Sequence, residues 1–123
     1  EGTDVTLVGV GRTGHVALEA AAALAQEGTS AEVLDLRSLS PLDEEAILGS
    51  LAKTGRLVVV DEAPPRCGIA SDVAALCVDR GFDLLDAPLR RVTAPHAPVP
   101  FSPVLEDAYV PDAARVLAAV RTL

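Results

Sequence analysis

The chain has 123 residues, of which 50% are apolar, and its formal net charge is −8. This length and apolar content predict one compact domain, residues 1–123, and exclude a disordered chain. The acidic excess, the single lysine and the 2% aromatic content argue against a nucleic-acid partner, and no apolar run approaches the roughly 20 residues that span a bilayer.

Strands and helices are expected to alternate along the chain. Apolar runs predict four strands, at residues 4–10, 32–36, 57–60 and 89–93. Apolar residues at helical spacing predict four helices, at about 15–27, 41–54, 68–80 and 111–121. This alternation predicts a three-layer α/β/α fold with a mainly parallel sheet of four strands in the order 2-1-3-4.

The turn after the first strand, Gly9-Val10-Gly11-Arg12-Thr13-Gly14, has the spacing G-x-G-x-x-G, and Asp35 follows near the end of the second strand. These are parts of a dinucleotide fingerprint, in which helix-start amides hold a pyrophosphate and the acid binds a ribose. The favoured alternative is that the glycines only permit a tight strand-to-helix turn, because one short sheet supplies half of a dinucleotide cleft. A small nucleotide- or anion-binding module using Gly9–Gly14 remains the second interpretation.

The start and end of the second helix carry specific signals. Ser40 is the expected N-cap and Pro41 the first helical residue, because serine accepts from free amides and proline has a preset backbone angle. Gly55 is expected to end the helix in a left-handed conformation.

Asp61 and Glu62 directly follow the third strand, at the edge where open α/β sheets place their working loops. As a general acid or base they would need a pKa raised by burial. The favoured interpretation is that they bond to backbone amides at a subunit contact, because no histidine, lysine or nucleophile lies near them in sequence. His15 and His96 are expected to be exposed and without a catalytic role.

The only cysteines, Cys67 and Cys77, do not make a disulfide scaffold and favour a reducing cytoplasm. Cys67 lies near a helix start, which would lower its pKa and make it reactive. The favoured alternative is that Cys67 is incidental and Cys77 is a small core residue. No spacing of Cys and His suggests zinc.

A proline-rich segment precedes the last helix. Pro95, Pro98, Pro100 and Pro103 predict an extended conformation held at low entropic cost. Such a rigid apolar segment suits a contact with another protein, and a strap across the domain's own core is the open alternative. The predicted contact residues are Pro98, Pro100, Phe101, Leu105 and Glu106, with Asp61 and Glu62.

Three blocks together resemble a known family: LDLRSLSPLD, KTGRLVVVDEA and FDLLDAPLRRVTAPHAPVPFSPVLED, within a resemblance that runs from Gly2 to Pro111. They are similar to the C-terminal domain, of transketolase C-terminal type, of beta subunits of 2-oxo acid dehydrogenases. That group includes the pyruvate, branched-chain and acetoin enzymes. The resemblance implies a domain cut from a longer chain, with one more, antiparallel strand upstream.

The resemblance also implies the function. The whole enzyme would decarboxylate a 2-oxo acid on thiamine diphosphate with magnesium and transfer the acyl group to lipoamide. The cofactor would be held outside these residues, so this chain would be a non-catalytic assembly domain. Its partners would be an alpha subunit, a second beta subunit and a dihydrolipoyl acyltransferase core. The C-terminal domain of another transketolase-like enzyme is the remaining alternative.

Overall fold

The structure is a computed structural model that describes all 123 residues. Its strands are β1 (Val5–Gly9), β2 (Ala31–Asp35), β3 (Leu57–Asp61) and β4 (Arg90–Thr93). Its α-helices are α1 (Arg12–Gln26), α2 (Glu44–Thr54), α3 (Ile69–Gly81), α4 (Pro103–Tyr109) and α5 (Ala113–Val120), and a 3-10 turn at Phe82–Leu84 follows α3. The strands form one parallel sheet in the order β2-β1-β3-β4. The predicted fold class and strand order are therefore confirmed.

Helices cover both faces of the sheet, and every residue of β1 and β3 is therefore buried. Val5 and Leu7 of β1 pack with α1 and α5 in one core cluster of 9 buried residues. Val8 packs with α2 and α3 in a second cluster of 9. Full burial of one such side chain contributes about 1.5–3 kcal/mol, so the two clusters supply most of the driving force for folding.

Three hydroxyl groups lie inside the second core layer. Thr6 Oγ1 of β1 is 2.7 Å from both Ser50 Oγ and Thr54 Oγ1 of α2. Thr54 Oγ1 also donates to the Ser50 carbonyl oxygen at 3.1 Å. Because every hydroxyl has a partner, polar groups are tolerated here at little cost in free energy.

The start of α2 differs from the prediction, and its end does not. Asp43 is the N-cap, and its Oδ1 accepts a hydrogen bond from Ala46 N at 3.0 Å. Ser40 and Pro41 lie in the preceding turn, so their prediction as N-cap and first helical residue is wrong. Two good capping residues stand within four positions here, and propensity does not choose between them. Gly55 ends the helix with φ +66°, as predicted.

The second difference from the prediction is α4, because the prolines up to Pro103 predict an extended segment where this helix begins. Pro103 lies in the first turn of a helix of 7 residues rather than in an extended stretch. Proline suits the first turn of a helix because its amide hydrogen would be unpaired there in any case. Two turns are too short to produce a clear helical periodicity, which is why the pattern did not predict α4.

Candidate functional site

The glycine-rich turn between β1 and α1 packs strand and helix too closely for side chains. A Cβ atom at Gly9 would lie 2.6 Å from Gly14 N, and one at Gly14 would lie 3.0 Å from Asp35 Oδ1. The contact at Gly9 is with backbone, so glycine is required there for packing, whereas the contact at Gly14 is with the exposed Asp35 side chain, which can move. Gly11 has φ +56°, a left-handed conformation that favours glycine. Two of the three glycines of the G-x-G-x-x-G spacing are thus explained by the geometry of the turn itself.

Thr13 fills the crevice between β1 and β3, where the strand order reverses and where open α/β sheets bind ligands. Its Oγ1 donates to the Val60 carbonyl oxygen at 2.7 Å and accepts from Val10 N at 2.9 Å. The amides of Thr13 and Gly14 donate back to the carbonyl oxygens of Val10 and Gly11. The Val10, Thr13 and Gly14 amides are therefore already bonded within the turn.

Asp35, the predicted ribose ligand, lies at the exposed end of β2. The Arg37 guanidinium donates to Asp35 Oδ2 at 3.3 Å. A shallow pocket beside it has a volume of about 200 Å³ and is lined by His15, Leu18 and Val33. The acid and the glycine turn do meet at this pocket, but Asp35 is paired with Arg37, and the amides of Thr13 and Gly14 are bonded within the turn.

Asp61 and Glu62 are neighbours in sequence with opposite environments. Asp61 is buried, and its carboxylate accepts from Ala63 N at 2.9 Å and from Ala70 N at 3.1 Å. Ala70 is in the first turn of α3, so the Asp61 carboxylate satisfies a free amide there. Glu62 is exposed, with an oxygen 4.0 Å from Arg12 Nε. The predicted bonds to backbone amides are therefore present at Asp61 only.

Arg91 of β4 holds the loop between β3 and α3 in place. One Arg91 guanidinium nitrogen donates to the Pro65 carbonyl oxygen at 2.9 Å and to Ser71 Oγ at 3.0 Å. Cys67, in the same loop, is exposed and has φ 59°, and Cys77 is fully buried. Burial raises the pKa of the Cys77 thiol, which fits an inert core residue.

The proline-rich segment leaves the body of the domain and returns at α4. Tyr109 anchors its far end, because this ring is buried and its hydroxyl donates to the Ala97 carbonyl oxygen at 3.0 Å. Phe101 is fully exposed, and Leu105 is 59% exposed. Phe101 therefore does not pack on the domain's own core, and Tyr109 is the buried aromatic residue of this region. No sequence pattern marks Tyr109 as an anchor, although it is the only tyrosine.

The remaining chemistry-bearing residues do not converge. His15 and His96 are both exposed, as predicted. No group of three or more His, Cys, Asp or Glu side chains is arranged to hold a metal ion. No buried side-chain nitrogen or oxygen lacks a hydrogen-bond partner, and no helix is long and apolar enough to cross a bilayer.

Comparison with known proteins gives a consistent result. Residues 1–116 match the family described as "Transketolase, C-terminal domain". The chain belongs to this family. The transketolase C-terminal domain described here also resembles a solved structure, "Split gene transketolase, inactive beta4 tetramer", with a TM-score of 0.84, 34% identity and coverage of 99% of this chain and 38% of that chain.

Curated relatives are beta subunits. The domain is 64% identical over 118 residues to the acetoin:2,6-dichlorophenolindophenol oxidoreductase subunit beta of Bacillus subtilis (strain 168), covering 96% of this chain and 34% of the relative. It is 45% identical over 121 residues to the pyruvate dehydrogenase E1 component subunit beta of the same organism, covering 98% of this chain and 37% of the relative. The resemblance to beta subunits of this group is confirmed, and the chain spans about a third of the length of these relatives.

Proposed function

We propose that the chain is one domain, the C-terminal one, of a longer beta subunit in a thiamine-diphosphate-dependent dehydrogenase. The observation that carries this proposal is the 64% identity to an oxidoreductase beta subunit across 96% of the chain. In the 2-oxo acid members of the group, the whole enzyme decarboxylates a 2-oxo acid oxidatively and transfers the acyl group to lipoamide. A cytoplasmic location remains a prediction from the cysteine content.

Within that group, acetoin is the substrate that the similarities favour. Identity is 64% and 55% to two subunits whose names carry acetoin, and 45% to a pyruvate dehydrogenase beta subunit. Because substrate side chains would be read outside these residues, this preference rests on overall similarity rather than on a pocket. A 2-oxo acid is the second candidate substrate, and it would be oxidatively decarboxylated.

The domain's role in this proposal is assembly without catalysis. Its residues do not fit magnesium and a diphosphate, because no cluster of ligating side chains is present and the amides of Val10, Thr13 and Gly14 are bonded within the chain. We therefore derive no chemical step from this domain. Thiamine diphosphate, when bound to the whole enzyme, would stabilise the carbanion that forms on breaking the bond next to the substrate carbonyl.

Two surfaces support an assembly role. Strand β2 lies at the sheet edge and its residues 31–34 are only half-buried, so an upstream antiparallel strand would find free backbone groups there. The proline-rich segment offers exposed apolar side chains at Phe101 and Leu105. The other proposed contact residues are Glu62, Pro98, Pro100 and Glu106, toward a second beta subunit, an alpha subunit or the acyltransferase core. Asp61 is not proposed as one, because it is buried and bonded to amides of its own chain.

The proposal is tested with the purified 123-residue chain and with the full-length beta subunit plus its alpha subunit. The assembled enzyme should reduce 2,6-dichlorophenolindophenol in the presence of acetoin, thiamine diphosphate and magnesium, with a lower rate on pyruvate. The chain alone should show no turnover and no heat of binding with the cofactor. Turnover by the chain alone, or an assembled enzyme that is equally active without residues 1–123, would contradict the assembly role.

A further inference from the structure

Residues 2–4, through which the chain leads into β1, lie directly on the start of β2, and we call them the entry segment. Gly2 is buried, whereas its neighbours in sequence are exposed. A Cβ atom at Gly2 would lie 2.5 Å from Glu32 N and closer still to the carbonyl group of Ala31. Both neighbours are backbone groups of β2, which cannot turn aside as a side chain can. The entry segment therefore crosses the Ala31–Glu32 peptide at a distance that only glycine allows.

Hydrogen bonds join the entry segment to the start of β2 in both directions. The amides of Thr3 and Asp4 donate to the Ser30 carbonyl oxygen at 3.1 and 2.9 Å. Ser30 N donates in return to Asp4 Oδ2 at 2.7 Å. The Gly2 amide donates to Glu32 Oε2 at 3.2 Å. This last hydrogen bond differs from the others, because its acceptor is a side chain that is also bonded to a helix.

The Glu32 carboxylate connects the entry segment, β2 and α2. The same oxygen, Oε2, accepts a hydrogen bond from Lys53 Nζ near the end of α2, and Lys53 is the only lysine of the chain. Hydrogen bonds to a charged acceptor are stronger than those between neutral groups. Because the Glu32 side chain is only 12% exposed, its hydrogen bonds are weakened little by competing water.

We propose that Glu32 is a latch: its carboxylate holds the entry segment on β2 and α2, and loss of its charge frees all of residues 2–4 while the core stays folded. Neither core cluster includes Glu32 or a residue of the entry segment, so the opening is local. A closed latch gives the preceding part of the protein one fixed point of attachment, beside the exposed edge of β2. An open latch makes this point a hinge. The inference goes beyond the proposed function, because it needs no substrate, cofactor or partner.

Amide-resolved hydrogen–deuterium exchange of the full-length beta subunit measures the opening of the latch. In Glu32→Ala the amides of Gly2, Thr3 and Asp4 should all exchange at least about tenfold faster than in wild type, because a hydrogen bond to a charged acceptor is lost. The amides of β1 should keep their slow exchange. Acceleration confined to Gly2 would overturn the proposal, because Glu32 would then bond one amide without holding the segment.

A charge swap separates the latch from the ion pair between β2 and α2. Glu32→Lys with Lys53→Glu keeps two opposite charges at these positions, but it places a donor where the Gly2 amide needs an acceptor. Exchange of the entry segment should therefore stay as fast as in Glu32→Ala. If the swap restores slow exchange, Glu32 acts only by pairing with α2, and the latch is wrong.

The close approach of Gly2 gives an independent variant with a matched control. Gly2→Ala should also release the entry segment, whereas a Cβ atom at Gly49 of α2 would meet open space, so Gly49→Ala should leave its exchange unchanged. Glu44→Gln, which breaks the pair of α2 with Arg80, is the control for loss of a charge.

The proposal is overturned if Glu32→Ala and Gly2→Ala exchange like wild type, or if the two control variants accelerate exchange of the entry segment equally. The proposed function fails separately, by the absence of acetoin-dependent turnover in the assembled enzyme. Exchange does not depend on that turnover, so the two failures are distinguishable.

Discussion

The carboxyl edge of the sheet and the exposed apolar residues around the start of α4 differ in what their sequences predict and what the structure shows. We call these residues the apolar strip: Val99, Phe101, Val104 and Leu105. The carboxyl edge has the residues of a binding site: a G-x-G-x-x-G turn and a pair of acids. In the structure Thr13 fills its central crevice, and the buried acid, Asp61, is bonded to amides of its own chain. The apolar strip has no recognised binding motif, yet Phe101 is fully exposed.

A polar motif can bind a ligand only if the fold leaves its donors and acceptors free. At the edge, the Thr13 hydroxyl and the Asp61 carboxylate already have partners in the chain, so these groups contribute to stability. At the strip, apolar side chains remain exposed to solvent. They can therefore contribute free energy only by contacting another molecule. Substitutions at the edge should therefore change stability, and substitutions at the strip should change binding.

The largest effect on stability is expected at Asp61. Asp61→Ala leaves the amides of Ala63 and Ala70 without their acceptor in a buried position, so the free energy of unfolding should fall by about 2–3 kcal/mol. Asp61→Asn keeps one acceptor oxygen and should lose less. Urea unfolding followed by circular dichroism measures both changes.

The matched control is the adjacent acid. Glu62→Ala removes an exposed carboxylate 4.0 Å from Arg12 Nε and should change stability by less than about 0.5 kcal/mol. Equal losses for the two substitutions would show that burial and amide bonding do not distinguish these acids.

The next effect is expected at Thr13, in the crevice between β1 and β3. Thr13→Val keeps the shape but removes the oxygen that bonds to Val60 O and Val10 N, at an expected loss of about 1–2 kcal/mol. Thr13→Ser keeps that oxygen and should lose less. Calorimetric titration of the wild-type chain with NAD and with ATP should give no saturable binding. Micromolar binding that Thr13→Val strengthens would mean that the crevice is a nucleotide site.

Much of the fold was predictable from the sequence because its strongest signals are local and repeated. The run Leu57–Val60 is apolar at every position, which predicts burial on both faces, and Gly55 marks the preceding helix end. The start of α2 was not predictable, since Ser40 and Asp43 are both good caps and only tertiary packing chooses. The helix α4 is too short for its periodicity to be read.

The candidate site was predictable in its residues but only partly in their environments. Sequence position placed Asp61 and Glu62 at the carboxyl edge, but the burial of one and the exposure of the other depend on the α3 amides. The same holds for Phe101 and Tyr109, because aromatic residues in a proline-rich segment give no pattern that separates an anchor from an exposed ring. Only three-dimensional packing makes that assignment.

A smaller, pH-dependent effect is expected away from both regions, at Glu32 of β2. The hydrogen bond from Lys53 is the main reason that the pKa of Glu32 is lowered, with a further contribution from Gly2 N at 3.2 Å. A lowered folded-state pKa gives stability that is present above the unfolded value of about 4.3 and is lost as pH falls through the folded value. Wild type should therefore exceed Glu32→Gln in unfolding free energy near neutral pH. This difference should shrink in acid, and a gap that widens in acid would contradict the assignment.

The smallest effect on stability is expected at Phe101, and it separates the two regions most clearly. Phe101→Ser removes a ring that is fully exposed, so the free energy of unfolding should change by less than about 0.5 kcal/mol. Tyr109→Phe, in contrast, removes the hydroxyl that bonds to Ala97 O and should reduce stability by about 1 kcal/mol. Urea unfolding of the two variants therefore distinguishes the buried Tyr109 from the exposed Phe101. A loss at Phe101 as large as that at Tyr109 would mean that the ring packs on its own domain, and the apolar strip would then have no area left for a partner.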